Sequence, residues 1–593
     1  MLLEAIFHQP KSHYAYAYDH ETLHIRLRTK RNDLDNVYLI HGDKYRFTQE
    51  FIETTKMTKF ASDTLFDYYE AAVKPEFRRF AYAFRLESGK ETLYYNEVGF
   101  QEEGAQSQSG IGMLESPSGM FEFPFLNPAD VNKPPAWVKN AVFYQIFPER
   151  FANGDDSLNP EGVEDWTPDA VPTRDNFFGG DLQGVIDNLD YLVDLGITCI
   201  YFTPFFEAKS NHKYDTIDYL KVDPQFGDNE TAKRLVNEAH KRGIKIMLDA
   251  VFNHSGFYFP PFQDVLKNGR RSRFAKWFYL RENEVKTEPL PNYDTFGFVA
   301  SMPKLNTENP EVKAYLLEVA RYWVEDIGVD GWRLDVANEI DHQFWREFRN
   351  VVKKANPEAY ILGEIWHNSM AWLEGDQFDA VMNYPVTNSI LEFFAKKTID
   401  AENFMGRLDA MQVAYPKQAN EVAFNLLDSH DTPRLLTIAD GDKDLMKLAA
   451  TFQLTYTGAP CIYYGDEVGM NGGNDPDCRK PMVWDEDRQD KELFAFYKDM
   501  VGLRKGYRAF RDGSFRFLSA EKGEQFVAYE RSDDRNRFIV VLNGDEEEKT
   551  VKLSGLSKGT FRPVFDGNDA YPVKRGKLSV TVGGKKSLLL KEQ

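Results

Sequence analysis

The sequence predicts a multidomain chain: a central (β/α)8 barrel with an inserted subdomain after its third strand, flanked by N-terminal and C-terminal all-β domains. Three observations predict it. Short period-two runs such as Leu23–Arg28 and Phe80–Leu86 recur over residues 1–123 and read as a β-sandwich. From Val142 the pattern changes to short apolar strands alternating with amphipathic segments, as parallel βα units do. From about Ser514 strands return, in Gln525–Glu530, Arg537–Leu542 and Leu578–Val582. The expected boundaries are 1–123, 124–504 and 505–593.

In the middle region eight strands are expected: Phe143–Phe147, Cys199–Phe202, Ile244–Asp249, Gly331–Asp335, Ile361–Glu364, Ala380–Asn383, Phe424–Leu427 and Cys461–Tyr464. The clearest helix runs from Pro310 to about Asp326. Asn309 suits its N-cap and Pro310 its first turn, Val312, Leu316, Val319 and Trp323 fall on one stripe, and Gly328 follows the end. Eight such units over roughly 350 residues make a barrel with insertions. The segment 255–301 is too long for a plain βα connection and is expected to be a subdomain. The Gly-, Ser- and Gln-rich stretch from Gly104 to Pro117 is expected to be a linker or loop.

A length of 593 residues allows three to five domains. Hydrophobic residues at 42% and charged ones at 28% put the chain in the globular range. A net charge of -21 argues against nucleic acid, which needs a basic face. Three cysteines, Cys199, Cys461 and Cys478, form no disulfide framework, and the first two sit in apolar runs. No basic-then-apolar leader follows Met1, and no run of about 18 apolar residues exists. The expectation is a cytoplasmic protein with no membrane contact.

In such a barrel the chemistry gathers at the C-terminal strand ends. The third strand ends in Asp249, before Asn253 and His254. The fourth carries Arg333 and ends in Asp335; the fifth ends in Glu364; the seventh is followed by Asp428, His430 and Asp431. A single acid ending a strand is usually a cap or a turn residue, but acids converging from four strands are not explained that way. Arg333 lies on the same strand face as Asp335 and is expected to lower its pKa and keep it ionised. Glycoside hydrolysis with retention needs two carboxyls about 5–5.5 Å apart. Neighbouring strands about 4.8 Å apart bring Asp335 and Glu364 within reach of that. Asp431 is a third acid that could order sugar hydroxyls.

These residues resemble the α-amylase family, glycoside hydrolase family 13. Asp249-Ala250-Val251-Phe252-Asn253-His254 is similar to its first motif and Gly331-Trp332-Arg333-Leu334-Asp335 to its second. Gly363-Glu364 and Ser429-His430-Asp431 resemble the third and fourth. Met302-Pro303-Lys304-Leu305-Asn306, Val336-Ala337-Asn338-Glu339 and Glu364-Ile365-Trp366-His367 are similar to the cyclomaltodextrinase, neopullulanase and maltogenic amylase subfamily.

The resemblance implies Asp335 as nucleophile, Glu364 as acid/base and Asp431 as transition-state stabiliser. It implies substrate contacts from Tyr214, Asp249, His254, Arg333, His430, Asp475 and Arg479, with Glu339 and Trp366 on the acceptor side. It implies cyclodextrins, maltooligosaccharides, pullulan or starch as substrates, and a homodimer formed through a starch-binding-type N-terminal domain. Asn153, Asp155, Asn159, Gly179 and Asp181 resemble a structural Ca2+ site, in which Leu158 and Asn159 stand where relatives with the site often carry Asn and Asp. Pro433 departs from the Glu of several relatives. The rival readings are a polymer-preferring α-amylase or pullulan hydrolase, a non-catalytic barrel, and a carbohydrate-binding protein only.

Overall fold

The structure, a computed structural model, describes every residue except 49, 103–115, 168 and 566. Most of the expected linker at 104–117 therefore lies outside the described residues.

Two antiparallel sheets form the N-terminal sandwich. One runs in the order Ala15–Ala17, Leu23–Lys30, Phe66–Val73, Thr58–Ser62; the other is built around Asn36–Gly42 and Phe80–Ser88. Alternation along these strands sends Leu23, Ile25 and Leu27, and Phe80, Tyr82, Phe84 and Leu86, into one shared core. At the other end of the chain, a six-stranded sheet containing Phe526–Ser532 and Arg537–Asn543 packs on the pair Lys549–Ser554 and Lys577–Val582 around a separate core.

Between them stands an eight-stranded parallel barrel. Its strands are β1 (Phe143–Ile146), β2 (Cys199–Phe202), β3 (Lys245–Ala250), β4 (Gly331–Leu334), β5 (Tyr360–Gly363), β6 (Ala380–Val381), β7 (Phe424–Asn425) and β8 (Ala459–Tyr463). Neighbours follow chain order from β1 to β6, and β8 lies between β7 and β1. A single parallel bridge, Met382 to Phe424, joins β6 to β7 and closes the circle. Both strands are shorter than expected; β6 stops early because Asn383 already opens the helix Tyr384–Ile390, with Pro385 in its first turn.

The period of two sorts each strand. Tyr144, Ile146, Ile200, Phe202, Ile246, Leu248, Trp332, Leu334 and Ile361 face the helical layer. Phe143, Cys199, Tyr201, Met247, Tyr360 and Leu362 fill the barrel. Continuing the inward parity puts Gln145, Asp249, Arg333, Asp335 and Glu364 at one end of that interior. The three cysteines are buried and unpaired by disulfides. Among the described residues no helix is long and apolar enough to cross a membrane.

The helix Pro310–Tyr322 begins as the sequence implies, with Asn309 Oδ1 accepting from Glu311 N at 2.9 Å. It does not stay α-helical to Asp326. Trp323–Ile327 form a wider π turn, with buried Trp323 anchored by its indole N–H to Tyr219 O at 2.8 Å. Gly328, at φ 94°, stops the chain there. The insertion after β3 contains the helix Pro260–Asn268, and isolated pairs such as Leu280–Tyr293 and Thr295–Pro303 fold it back over the β3 end.

The N-terminal sandwich is clasped to the barrel through buried polar groups. Arg26 Nη1 donates to Val413 O and Tyr415 O at 3.1 and 3.0 Å. Asp409, buried on the helix Ala401–Ala414, accepts from Ser62 N at 2.8 Å. Burial, helped by Asp63, pushes Asp409 up to about 7, while the Ser62 amide pulls the other way. The folded state thus holds this proton more tightly than the unfolded chain, so stability is full below about pH 4 and falls as pH rises through 7. Asp409→Asn keeps an acceptor for Ser62 and removes the charge. Its melting temperature should exceed that of the parent by a few degrees at pH 8 and converge with it at pH 4. A difference independent of pH would overturn this account.

Candidate active site

The register of the barrel assembles the centre. β3 pairs with β4 so that Asp249 lies beside Arg333, and β4 pairs with β5 through Leu334 and Gly363. One residue further, Asp335 and Glu364 face each other across adjacent strand ends. Their backbone amides continue the ladder, to Ala250 O at 3.1 Å and Leu334 O at 3.0 Å.

Arg333 is fully buried among three carboxyls. Its Nη1 donates to Asp335 Oδ1 at 2.7 Å and to Asp249 Oδ1 and Oδ2 at 3.0 and 2.9 Å. Its Nη2 sits 2.8 Å from Glu364 Oε1, an ion pair whose N–H direction misses hydrogen-bond alignment. Glu364 Oε2 accepts from Val336 N at 3.0 Å and Oε1 from Trp366 Nε1 at 3.2 Å. Val336 stands in the left-handed region at φ 45°, a costly place for a β-branched residue. That conformation aims its N–H at Glu364.

The expectation that Arg333 holds Asp335 low is corrected here. Burial pushes Asp335 well above the ordinary carboxylate range; Arg333 opposes the shift, while Glu364 and Asp249 add to it. Asp249 is pushed up to about 6, also chiefly by burial. One guanidinium serves three acids, so its positive charge does not single out Asp335. Asp249 lies beneath the pocket rather than facing it, with Oδ2 bonded by Tyr201 and Tyr214 hydroxyls, each at 2.9 Å.

A polar chain continues from there. Tyr214 OH lies 2.7 Å from His430 Nε2, the two rings are parallel at 5.5 Å, and His430 Nδ1 is 2.7 Å from Gln145 Nε2. Burial, aided by Arg479 and Arg333, drives the His430 pKa far down, so the ring is neutral. His254 is likewise lowered to about 3 by burial and by Lys304. Its Nε2 is buried with no partner and its ring stacks on Phe296 at 5.2 Å. A neutral imidazole with a free nitrogen suits a sugar hydroxyl. His212 is lowered to about 3, first by burial and then by Arg479.

Asp431 is more exposed than the other acids. It lies 3.4 Å from Arg479 Nη2 and 3.2 Å from His430 Nε2. Arg479 Nη1 pairs with Asp475 Oδ1 at 2.8 Å, and its Nε donates to His430 O at 2.8 Å. Trp366 is half-exposed, stacked on Tyr384 at 3.6 Å and 9°. Glu339 is exposed, 3.7 Å from Lys304 Nζ. Every residue expected around the acids thus falls in one region. Gln145 and Tyr201 were missed, although their inward parity was readable. Nothing in the sequence marks Phe296 or Tyr384, whose buried hydroxyl has no partner.

The cation-site residues also converge. Asn153 Nδ2 donates to Asn159 Oδ1 at 3.0 Å, while Asn153 Oδ1 is buried with no partner. Gly179, at φ 83°, packs where a Cβ would strike both amides. The acids are committed elsewhere: Asp181 accepts from Gly154, Asp155 and Gly184 amides, and Asp155 from Ser157. Among the described residues no group of three or more His, Cys, Asp or Glu could hold a metal. The orphaned amide oxygen fits a hard cation bound mainly by neutral oxygens.

A barrel of eight parallel strands with an acid pair at its C-terminal ends defines the class of (β/α)8 glycoside hydrolases. Residues 145–513 match the family described as "Alpha amylase, catalytic domain", 1–127 its "N-terminal ig-like domain", and 515–588 "Maltogenic Amylase, C-terminal domain". A cyclomaltodextrinase of Bacillus sp is 56% identical over 94% of this chain and 99% of its own. An intracellular maltogenic amylase of Bacillus subtilis (strain 168) is 45% identical over 96% of each. A solved cyclomaltodextrinase structure superposes with a TM-score of 0.95 at 52% identity, covering 100% of both chains. The chain belongs to the α-amylase family and is a glycoside hydrolase of its cyclomaltodextrinase and maltogenic amylase type.

The loops bearing Asp431 and Arg479 are tied together from below by Arg434. Its Nε donates to Cys478 O at 3.0 Å, and its Nη1 to Tyr464 O and Asp466 Oδ1 at 2.7 and 3.1 Å. Its plane lies 4.3 Å from the Tyr463 ring. Lysine keeps the charge but not this fork. Arg434→Lys should lower kcat at least about tenfold with a smaller change in KM. An unchanged kcat would mean the loops hold their positions without it.

Proposed function

We propose that the protein hydrolyses α-1,4-glucosidic bonds of cyclodextrins and maltooligosaccharides with retention of configuration, as a cyclomaltodextrinase with some transglycosylation. The observation that carries this reading is the acid pair on adjacent strand ends, held by the two Nη atoms of one buried guanidinium.

In this scheme the glucose ring before the scissile bond lies against Tyr214, with His254, His430 and Arg479 meeting its hydroxyls and Asp475 beside Arg479. Arg333 occupies Asp335 Oδ1, leaving Oδ2 to attack the anomeric carbon. Glu364 gives its proton to the departing glycosidic oxygen, and a covalent glycosyl ester forms on Asp335. Glu364 then takes a proton from water, whose oxygen displaces Asp335 and restores the α-anomer; a sugar hydroxyl in place of water gives transfer. Burial holds the Asp335 carboxyl above its ordinary range. Positive charge developing at the anomeric carbon selects the form in which Asp335 is ionised and Glu364 protonated. Asp431 stabilises that charge. Half-exposed Trp366, with Glu339, presents an aromatic face and a carboxylate to the acceptor.

Asp335→Asn and Glu364→Gln should each cut turnover of β-cyclodextrin by several orders of magnitude with melting temperature nearly unchanged. Near-parental activity in either would refute the scheme.

We further propose a homodimer through the N-terminal sandwich, a cytoplasmic location and a weak structural Ca2+ at Asn153, Asp155, Asn159, Gly179 and Asp181. The name of the Bacillus subtilis relative supports the location, and the unpartnered Asn153 oxygen supports the cation. Sedimentation should give twice the 68.5 kDa chain mass, and initial rates should favour β-cyclodextrin over pullulan and soluble starch. A starch-preferring monomer would instead favour a polymer-acting α-amylase. Chelation should lower the melting temperature and Ca2+ should restore it; insensitivity to both would remove the cation.

A further inference from the structure

The insertion returns to the barrel through Met302-Pro303-Lys304-Leu305-Asn306, which lies antiparallel to the β3 end with Lys304 bridged to His254. The main chain already secures this crossing. Ser255 N donates to Pro303 O at 3.0 Å, Leu305 N to Asn253 O at 3.0 Å and Lys304 N to Asp294 O at 2.9 Å. Thr307 Oγ1 adds a bond to Asp341 Oδ2 at 2.7 Å. The Lys304 side chain is thus spare as a fastening of the insertion, yet it is drawn in until only 18% of it is exposed.

Its ammonium is a fixed cation held among oxygens. Nζ donates to Asn253 Oδ1 and, at 2.9 Å, to Glu339 O. Glu339 Oε2 lies 3.7 Å away, an ion pair beyond hydrogen-bond length. Three donors on one compact head suit oxygens that converge from different directions. On one side Asn253 Nδ2 is 3.4 Å from His254 Nδ1, so the ammonium reaches the wall that meets the donor sugar. On the other, Glu339 ends the short turn Ala337–Glu339 that Val336 opens, and Val336 N is the donor to Glu364 Oε2. One side chain therefore spans from the donor wall to the turn that touches the acid/base.

We propose that Lys304 is a positioning residue for the acceptor: it locks the turn carrying Glu339 to the β3 end and so sets how often a sugar, rather than water, takes the glycosyl group from Asp335. In transfer the acceptor's hydroxyl oxygen bonds the anomeric carbon as the ester bond to Asp335 breaks, and its proton passes to Glu364. Hydrolysis is the same exchange with water. Water is small and reaches the ester without a wall to hold it. A sugar needs Glu339 and Trp366 fixed relative to Glu364, because positioning is what lets a bound hydroxyl compete with bulk water. Loosening the turn therefore costs transfer more than hydrolysis.

The inference rests on the transfer activity proposed above. With β-cyclodextrin as donor and isotopically labelled glucose as acceptor, Lys304→Met should lower the ratio of transfer to hydrolysis about tenfold, while kcat for hydrolysis falls less than about threefold. Lys304→Cys should show the same defect. Its complete alkylation with bromoethylamine rebuilds an ammonium of nearly lysine length and should restore the ratio; the three native cysteines are buried. An unchanged ratio in Lys304→Met, transfer and hydrolysis falling in parallel, or a defect that the aminoethyl group leaves in place would each overturn the proposal. Should Lys304→Met not fold, Lys304→Arg carries the test, since a guanidinium keeps the charge but cannot meet both oxygens from one nitrogen; an unchanged ratio there overturns the proposal equally. A parent chain that hydrolyses β-cyclodextrin without any transfer product sinks the transfer reading and this inference together. A parent that transfers with a ratio indifferent to Lys304 sinks this inference alone.

Discussion

The centre depends on one buried cation. Arg333 is the sole guanidinium contacting Asp249, Asp335 and Glu364 among the described residues, and removing its charge would leave three acids in a dry barrel end. Charges buried without a partner are strongly destabilising. The same contacts set the geometry: two carboxyls bound by adjacent nitrogens of a rigid plane have little freedom in spacing or orientation. Stability and chemistry are therefore requirements on one side chain, and lysine, with a single point of charge, would satisfy neither.

Around that cation the protein surrounds the sugar pocket with groups that do not compete for protons near neutrality. His254 and His430 are kept neutral by burial and by nearby cations, so they serve as hydrogen-bonding walls. The acids carry the proton traffic. This division follows from burial in one poorly hydrated space: desolvation raises Asp249 and Asp335 and lowers His254 and His430.

Much of this was legible because β-strands have a period of two. Phe143 and Gln145, Cys199 and Tyr201, Met247 and Asp249, and Arg333 and Asp335 each share an inward face, so strand assignment alone indicated which polar residues meet. What was not legible depends on absolute geometry. The sequence shows that Arg333 is near Asp335, but not that burial outweighs it and raises the acid's pKa. Phe296 reaches His254 through an insertion with no periodicity, and Val336 adopts a left-handed backbone that valine does not advertise. The π turn at Trp323–Ile327 depends on a tryptophan whose partner, Tyr219 O, lies far away in the chain. The reach of Lys304 Nζ to Glu339 O becomes visible only when the strand ends are placed together.

The closure of the barrel is uneven. Strands β6 and β7 have two residues each and meet through one bridge, reinforced by Asn383 N to Phe424 O at 2.8 Å and by Asn383 Nδ2 to Asn425 Oδ1 at 2.9 Å. The cylinder thus has a seam, and the catalytic loops lie on both sides of it. Glu364 follows β5, while His430 and Asp431 follow β7. A thermal fluctuation that parts the seam would draw the two halves of the pocket away from each other while most of the ladder stayed intact. In such a molecule, loss of activity on heating would run ahead of loss of structure.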